Sequence, residues 1–179
     1  NTSVATISGS TLTVVGLGTS TITATQAAAG AYGEGTATAT FIVSAPALTT
    51  AAPTPPVRNA ANVISLFSDA YTNTTVDTWS TVWDNTNVED VSIGGNTTKK
   101  YYNLYFAGVE FTSSTINATN MEKFHMDVYT PDATVFKVKL VDFGPNAAYG
   151  GGDDKEHELS FSPTKESWNT LSIKMSDFT

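Results

Sequence analysis

The run TWSTVWDN, residues 78–85, sets Trp79 and Trp83 four positions apart among Thr, Ser, Asp and Asn, with Val82 the only aliphatic side chain between them. A core indole wants apolar neighbours, and these two have few, so the run points to the surface. Pyranose rings present flat patches of C–H that stack on aromatic faces, while their hydroxyls seek carboxylates and amides at the edge. Asp84, Asn85 and Asn87 follow at once. On an extended chain residues four apart share a face, so Trp79, Trp83 and Asp84 are expected to form a carbohydrate platform. The competing expectation is that one or both indoles fold under and plug an end of the fold.

Other groups could join such a platform. Tyr149, in the glycine-rich stretch GPNAAYGGGDD, lacks apolar neighbours and is a second stacking candidate. In KKYYNLYF, strand alternation sends Tyr101 and Tyr105 to one face and Tyr102 to the other, and core or rim is the expected place for each. His125 and Tyr129 fall on the polar face of MEKFHMDVYT with Lys123 and Asp127. With Lys137, Lys139, Glu156 and Glu158 they make either a solvated face laced by Lys–Glu pairs or a groove. In a groove these groups hydrogen-bond sugar hydroxyls and Tyr129 stacks. Asp153 and Asp154, after three glycines, offer the flexible carboxylates that calcium takes. The D-x-D-x-D-G spacing is absent, and a turn of solvated charges is the alternative.

Catalysis is not expected. Glycoside hydrolysis needs two opposed carboxylates at a set separation, and no such pair stands out in an aromatic-rich motif. The two histidines both fall on strands, and no nucleophile elbow accompanies them.

The 179 residues carry a formal net charge of −8 and no Lys/Arg cluster, which argues against nucleic acid or an anionic membrane as partner. With no cysteine, disulfides, thiol nucleophiles and thiolate metal sites are excluded. No apolar run approaches the roughly 20 residues that span a bilayer, so membrane insertion is not expected. Thr, Ser, Asn, Ala and Gly dominate over Lys, Arg and Glu, the composition of a secreted β-rich protein. No signal peptide is visible, and the first residue opens in mid-pattern, so the chain is expected to be a piece of a longer one.

Three stretches follow one another. Residues 1–45 alternate in short strands such as STITAT and TATATFIV, punctuated by glycine turns. Residues 46–58 are a proline-rich linker, expected to separate two units. Residues 59–179 bring aromatics, charges and longer strands. There MEKFHMDVYT, TVFKVKLVDFG, KEHELSFS and SWNTLSIKMSDF each show one apolar and one polar face, as antiparallel sheets with one buried side require. ANVISLFSDAY reads as a first strand, and NATNME as a short helical turn. The predicted fold class is all-β, a jelly-roll-type β-sandwich preceded by a partial Ig-like β-sandwich.

The motifs SVATISGSTLTVVGLGTSTITAT and TATFIVSA resemble the second half of a bacterial immunoglobulin-like domain of group 2, whose implied role is spacing. The pieces VISLFSDAY, MDVYTPDATVFKVKLVDFG and WNTLSIKMSDF resemble the β-sandwich carbohydrate-binding modules attached to secreted polysaccharide-degrading enzymes of Bacteroidetes, the laminarinase-associated type above all. That likeness implies no catalysis, glycan recognition by aromatics, and an attached catalytic domain brought to its polysaccharide, with laminarin-like β-glucan the first expectation. Relatives of this look often hold a structural calcium near the first strand, which makes Asp69 a further metal candidate beside Asp153 and Asp154. It also implies a structural role for Trp168 and a secreted or cell-surface bacterial setting. A structural or adhesive array of sandwich domains, and a surface glycan-binding protein of the cell envelope, are the rival readings.

Overall fold

The computed structural model describes residues 1–178; Thr179, the last residue of the expected second module, lies outside them. The chain is all-β, built of antiparallel pairs consistent with a β-sandwich, and no helix among the described residues reaches seven residues. It divides into two compact units, Asn1–Leu48 and the remainder from Thr49.

The first unit holds β1 (Ala5–Ser8), β2 (Thr11–Val14), β3 (Gly18–Gln26) and β4 (Gly35–Val43). β1 pairs with β2, and β3 with β4 in a register that sets Thr21, Thr23 and Thr25 opposite Thr40, Thr38 and Thr36. These β-branched rungs suit a pleated surface and face solvent, while Val4 and Ser20 are buried.

In the second unit β5 (Asn85–Ile93) and β6 (Asn96–Phe106) form a hairpin. Its two-residue turn, Gly94-Gly95, has φ values of 58° and 90°, the left-handed region a tight hairpin needs at both positions. β7 (Lys123–Thr130) pairs with β10 (Ser167–Lys174), and between them in sequence β8 (Phe136–Asp142) pairs with β9 (Lys155–Phe161). One pair nested inside another is the arrangement a jelly roll builds on. The apolar faces follow the sequence period: Phe124 lies opposite Ile173, Met126 opposite Leu171, and Val138 opposite Leu159. Val138 and Ile173 are buried, and Phe178 packs edge-on against Phe124 at 6.1 Å.

Two local expectations differ from the structure. The stretch ANVISLFSDAY is not a continuous strand. It opens as a 3₁₀ turn, Ala60–Asn62, capped by the Asn59 side chain. It then loops around Asn73, whose side chain accepts from Ser65 Oγ (2.6 Å) and Ser68 N (2.8 Å) and donates to the Ser68 carbonyl (3.0 Å). Asn and Ser side chains bond the local backbone and so compete with a sheet ladder. NATNME makes one hydrogen-bonded turn, Met121 N to Ala118 O, and no helix. The proline-rich segment lies along the second unit from Thr49 onward. Trp168 Nε1 donates to the Thr50 carbonyl at 2.9 Å, and the Tyr71 hydroxyl donates to Pro56 O (2.7 Å) while accepting from Arg58 N (2.8 Å).

Candidate functional site

The two indoles of the opening motif do not share a face, because the chain between them turns. Asp84 N donates to Thr81 O at 3.3 Å, and the Asp84 carboxylate binds the turn from within. It accepts from Ser80 Oγ (3.0 Å), Thr81 N (3.0 Å) and, across the loop, Gly108 N (3.1 Å). Both carboxylate oxygens are thereby engaged with protein donors.

The turn sends the indoles to different surroundings. Trp79 is half-buried: Phe67 meets its ring edge-on at 5.5 Å, and the Lys99 ammonium lies 5.1 Å from the ring centroid. Lys99 is itself fixed by Asp90 at 2.7 Å, so the cation covering Trp79 is anchored. Trp83 is 59% exposed. Its Nε1 donates to Glu110 Oε1 at 3.2 Å, and its ring lies nearly parallel to Phe106, 6.2 Å between centroids and 21° between planes. Tyr105, 83% exposed, meets Phe106 edge-on at 5.9 Å. Trp83, Phe106 and Tyr105 thus form an open aromatic shelf with a carboxylate at its rim.

Two backbone devices build the shelf. Thr78 and Glu110 form an isolated antiparallel bridge, with Glu110 N to Thr78 O at 3.0 Å and Thr78 N to Glu110 O at 3.2 Å. That bridge carries Glu110 up to the tryptophan loop. The second device is an irregularity in β6: Asn85 lies opposite Phe106 but Asn87 opposite Tyr102, so β6 holds extra residues there. Asn103 at φ 53° takes up the strain, one of the few residues that tolerate that region. A bulge re-aims side chains, and the alternation that would set Tyr105 beside Tyr101 is broken. Tyr101 instead turns inward and donates its hydroxyl to the Trp79 carbonyl at 2.7 Å. Burial, with the nearby Asp84 and Asp90 charges, pushes its phenol up to about 12.

Gly108 supplies the clearance beneath the indole. A Cβ there would lie 2.5 Å from Trp83 Cη2 and 2.7 Å from Thr81 Oγ1. Gly108→Ala is expected to lower stability by about 1–3 kcal/mol, the range for overpacking, and to displace Trp83. A urea titration read beside the tryptophan emission maximum checks this: unchanged emission would mean the indole does not rest on Gly108.

Asp77 fastens the neighbouring segment, accepting from Ser113 Oγ, from Ser113 N (2.8 Å) and from Thr112 Oγ1 (3.4 Å). The Ser113 hydroxyl first, then its N–H, hold this carboxyl below its ordinary value of 3.8. A carboxyl lowered by folding contributes stability that is complete above the unfolded value and is lost as pH falls through the folded one. Asp77→Asn should therefore flatten the acid limb of the stability curve below pH 3.8. An identical acid limb in wild type and variant, by urea denaturation, would refute it.

The remaining candidates lie elsewhere in the unit. His125 and Tyr129 share a half-buried face of β7 with Asp127 between them, opposite Ser172, Trp168 and Thr170 of β10. His125 Nε2 lies 3.5 Å from Asp127 Oδ2, and Tyr129 packs on Trp168 at 5.7 Å. Tyr149 is 72% exposed, edge-on to Phe143 at 6.3 Å. Asp153 and Asp154 close the glycine-rich loop on itself. Asn146 Nδ2 donates to Asp153 Oδ1 (2.7 Å), and Gly150 N donates to Asp154 Oδ2 (2.6 Å). Asp69 sits exposed in the loop between Ser65 and Asn73. Among the described residues no group of three or more His, Asp or Glu gathers as a metal would need.

Sequence reading missed Phe106 and Glu110 and gave Tyr105 to core or rim. The NLYF run held a signal, since Asn103 is a residue type that admits positive φ; Glu110 had none, because it reaches Trp83 through a long-range bridge. No helix of the described residues is long and apolar enough to cross a membrane. No protein-family model, curated protein or solved structure matches the chain.

Proposed function

We propose that the second unit is a non-catalytic carbohydrate-binding module that holds polysaccharide on the Trp83–Phe106–Tyr105 shelf. One observation carries the reading: three large aromatic side chains stay open to solvent side by side, with a carboxylate fixed at their edge. Left exposed, such rings suit a partner with flat apolar faces and polar rims, and a pyranose is that partner. Glu110 has one oxygen engaged by the indole N–H and the other open to accept from a sugar hydroxyl.

In this reading the module works outside a bacterial cell, as its resemblance to laminarinase-associated modules implies, and tethers a catalytic domain of the same chain to its substrate. Tethering raises the effective concentration of enzyme at the polymer without any new chemistry. β-Glucan of the laminarin kind is the first ligand to try. Affinity gel electrophoresis against a panel of polysaccharides is the test: retardation by at least one polymer is expected, and mobility unchanged in every gel would end the proposal.

A further inference from the structure

Four lysines of the second unit are matched with carboxylates along its strand pairs. Lys99 meets Asp90 at 2.7 Å and Lys100 meets Glu89 at 2.6 Å on the β5·β6 hairpin. On β8·β9 the pairs run diagonally, Lys137 with Glu158 at 2.7 Å and Lys139 with Glu156 at 2.6 Å. The carboxylates around the aromatic shelf have no such partner. Among the described residues no ammonium, guanidinium or imidazole lies within 4.0 Å of Glu110, Asp84 or Asp77. Asp84 and Asp77 turn their oxygens to hydroxyl and backbone N–H donors. Glu110 differs. Its Oε1 accepts from the Trp83 indole at 3.2 Å, while Oε2 has no protein partner and stays open. Its backbone is fastened on both sides, N to Thr78 O at 3.0 Å and O to Asp77 N at 2.7 Å. The charge at the rim of the shelf is therefore both unmatched and held in place.

We propose that the shelf sorts glycans by charge, with Glu110 as the specificity-determining residue and amine-bearing sugars as the preferred ligands. Aromatic faces are electron-rich and attract a cation set over them, and the rings of Trp83 and Tyr105 are open for that contact. A carboxylate at their edge attracts the same ammonium, so both forces favour one ligand. A hydroxyl or an acetamide meets Glu110 only as an ordinary hydrogen-bond donor. A uronate or sulfate meets a like charge with no cation paired to it. Because indole and bridge already hold Glu110, little further ordering is needed when the ligand arrives. An exposed ion pair contributes up to about fivefold in affinity, and a cation over an exposed ring contributes a similar factor. The inference rests on the glycan reading above and adds to it a charge class and the residue that sets it.

Isothermal titration of the full chain tests it, at constant ionic strength and a pH that keeps the amine protonated. The probes are laminarin and then whichever polymer the gels retard most, each in forms that differ only at C6: the native hydroxyl, an amine, that amine acetylated, and a carboxylate. The amine form is expected to bind about tenfold tighter than the acetylated and native forms, and the carboxylate form weakest of all. Glu110→Gln, which keeps an oxygen for the indole N–H, should lower the amine-to-carboxylate ratio by roughly fivefold or more, whatever it does to the native polymer. Glu34→Gln removes the same charge from an exposed position in the first unit and should leave the ratio as it is. Added salt should narrow the ratio in the wild-type protein, a readout that stands even if Glu110→Gln fails to fold. Amine and acetylated forms bound alike, a ratio indifferent to salt or to Glu110→Gln, or one that Glu34→Gln lowers equally would overturn the charge sorting and leave the glycan reading standing. Failure of every polymer in every form to bind would overturn the glycan reading itself, and the charge sorting with it.

Discussion

Trp83→Ala should lower affinity for the bound polysaccharide by roughly thirty- to a hundredfold, the loss of about 2–3 kcal/mol that follows truncation of a central aromatic anchor. Trp79→Ala should do something different. Its indole is wedged between Phe67 and the Lys99 ammonium, so its removal empties a packed site. Full burial would put that loss at about 3–5 kcal/mol; half-buried, Trp79 should fall below that range, with affinity much less affected. The two measurements, affinity electrophoresis and urea denaturation, therefore separate the indoles by the kind of loss and not only its size. If Trp83→Ala binds as wild type does, the shelf is not where sugar sits. The contrast also bears on why the motif keeps two tryptophans: one anchors the loop to β6 and the other is what the loop presents.

Where the period of two is unbroken, side chains alone told the structure. MEKFHMDVYT, TVFKVKLV and SWNTLSIKM alternate cleanly in sequence; β8 and β10 bury the faces that alternation marked, Val138 and Ile173 most completely, whereas β7 is half-buried on both faces. The Lys–Glu pairing of β8 with β9 was likewise readable, although its diagonal offset needed the register. The site was only partly legible. The residue type at Trp83 signalled exposure correctly in its own case, but the shared face assumed for Trp79 depended on an extended chain, and Asp84 folds that chain into a turn. Lys99, which covers Trp79, is twenty positions away and arrives only through the β5·β6 hairpin. Tyr105 was misplaced for a single reason: one residue in the left-handed region at Asn103 resets the alternation after it. β5 escaped notice because Glu89 and Asp90 interrupt its apolar rhythm; their partners, Lys100 and Lys99, make sense of them only once the strands are paired.

Asp84 carries the second large effect, through position and not contact. Its carboxylate holds Ser80, Thr81 and Gly108 together, so it fixes the turn bearing Trp83 and binds that turn to the segment beyond β6. Asp84→Ala removes three bonds to an ionised acceptor. Each is worth about 1.5–3 kcal/mol when the donor stays unpaired, but donors that regain water recover most of that, and the net loss should be about 2–3 kcal/mol. Affinity should fall with it, approaching the Trp83→Ala value, because an indole on a loosened turn must be ordered again on binding. Asp84→Asn keeps one acceptor oxygen and should retain part of both. A carboxylate that touched sugar directly would behave otherwise, losing affinity in either variant while stability held. Measured side by side, parallel losses of stability and affinity across Asp84→Asn and Asp84→Ala mark a positioning residue; affinity lost at constant stability would move Asp84 into the binding surface and require the turn to be held by something else.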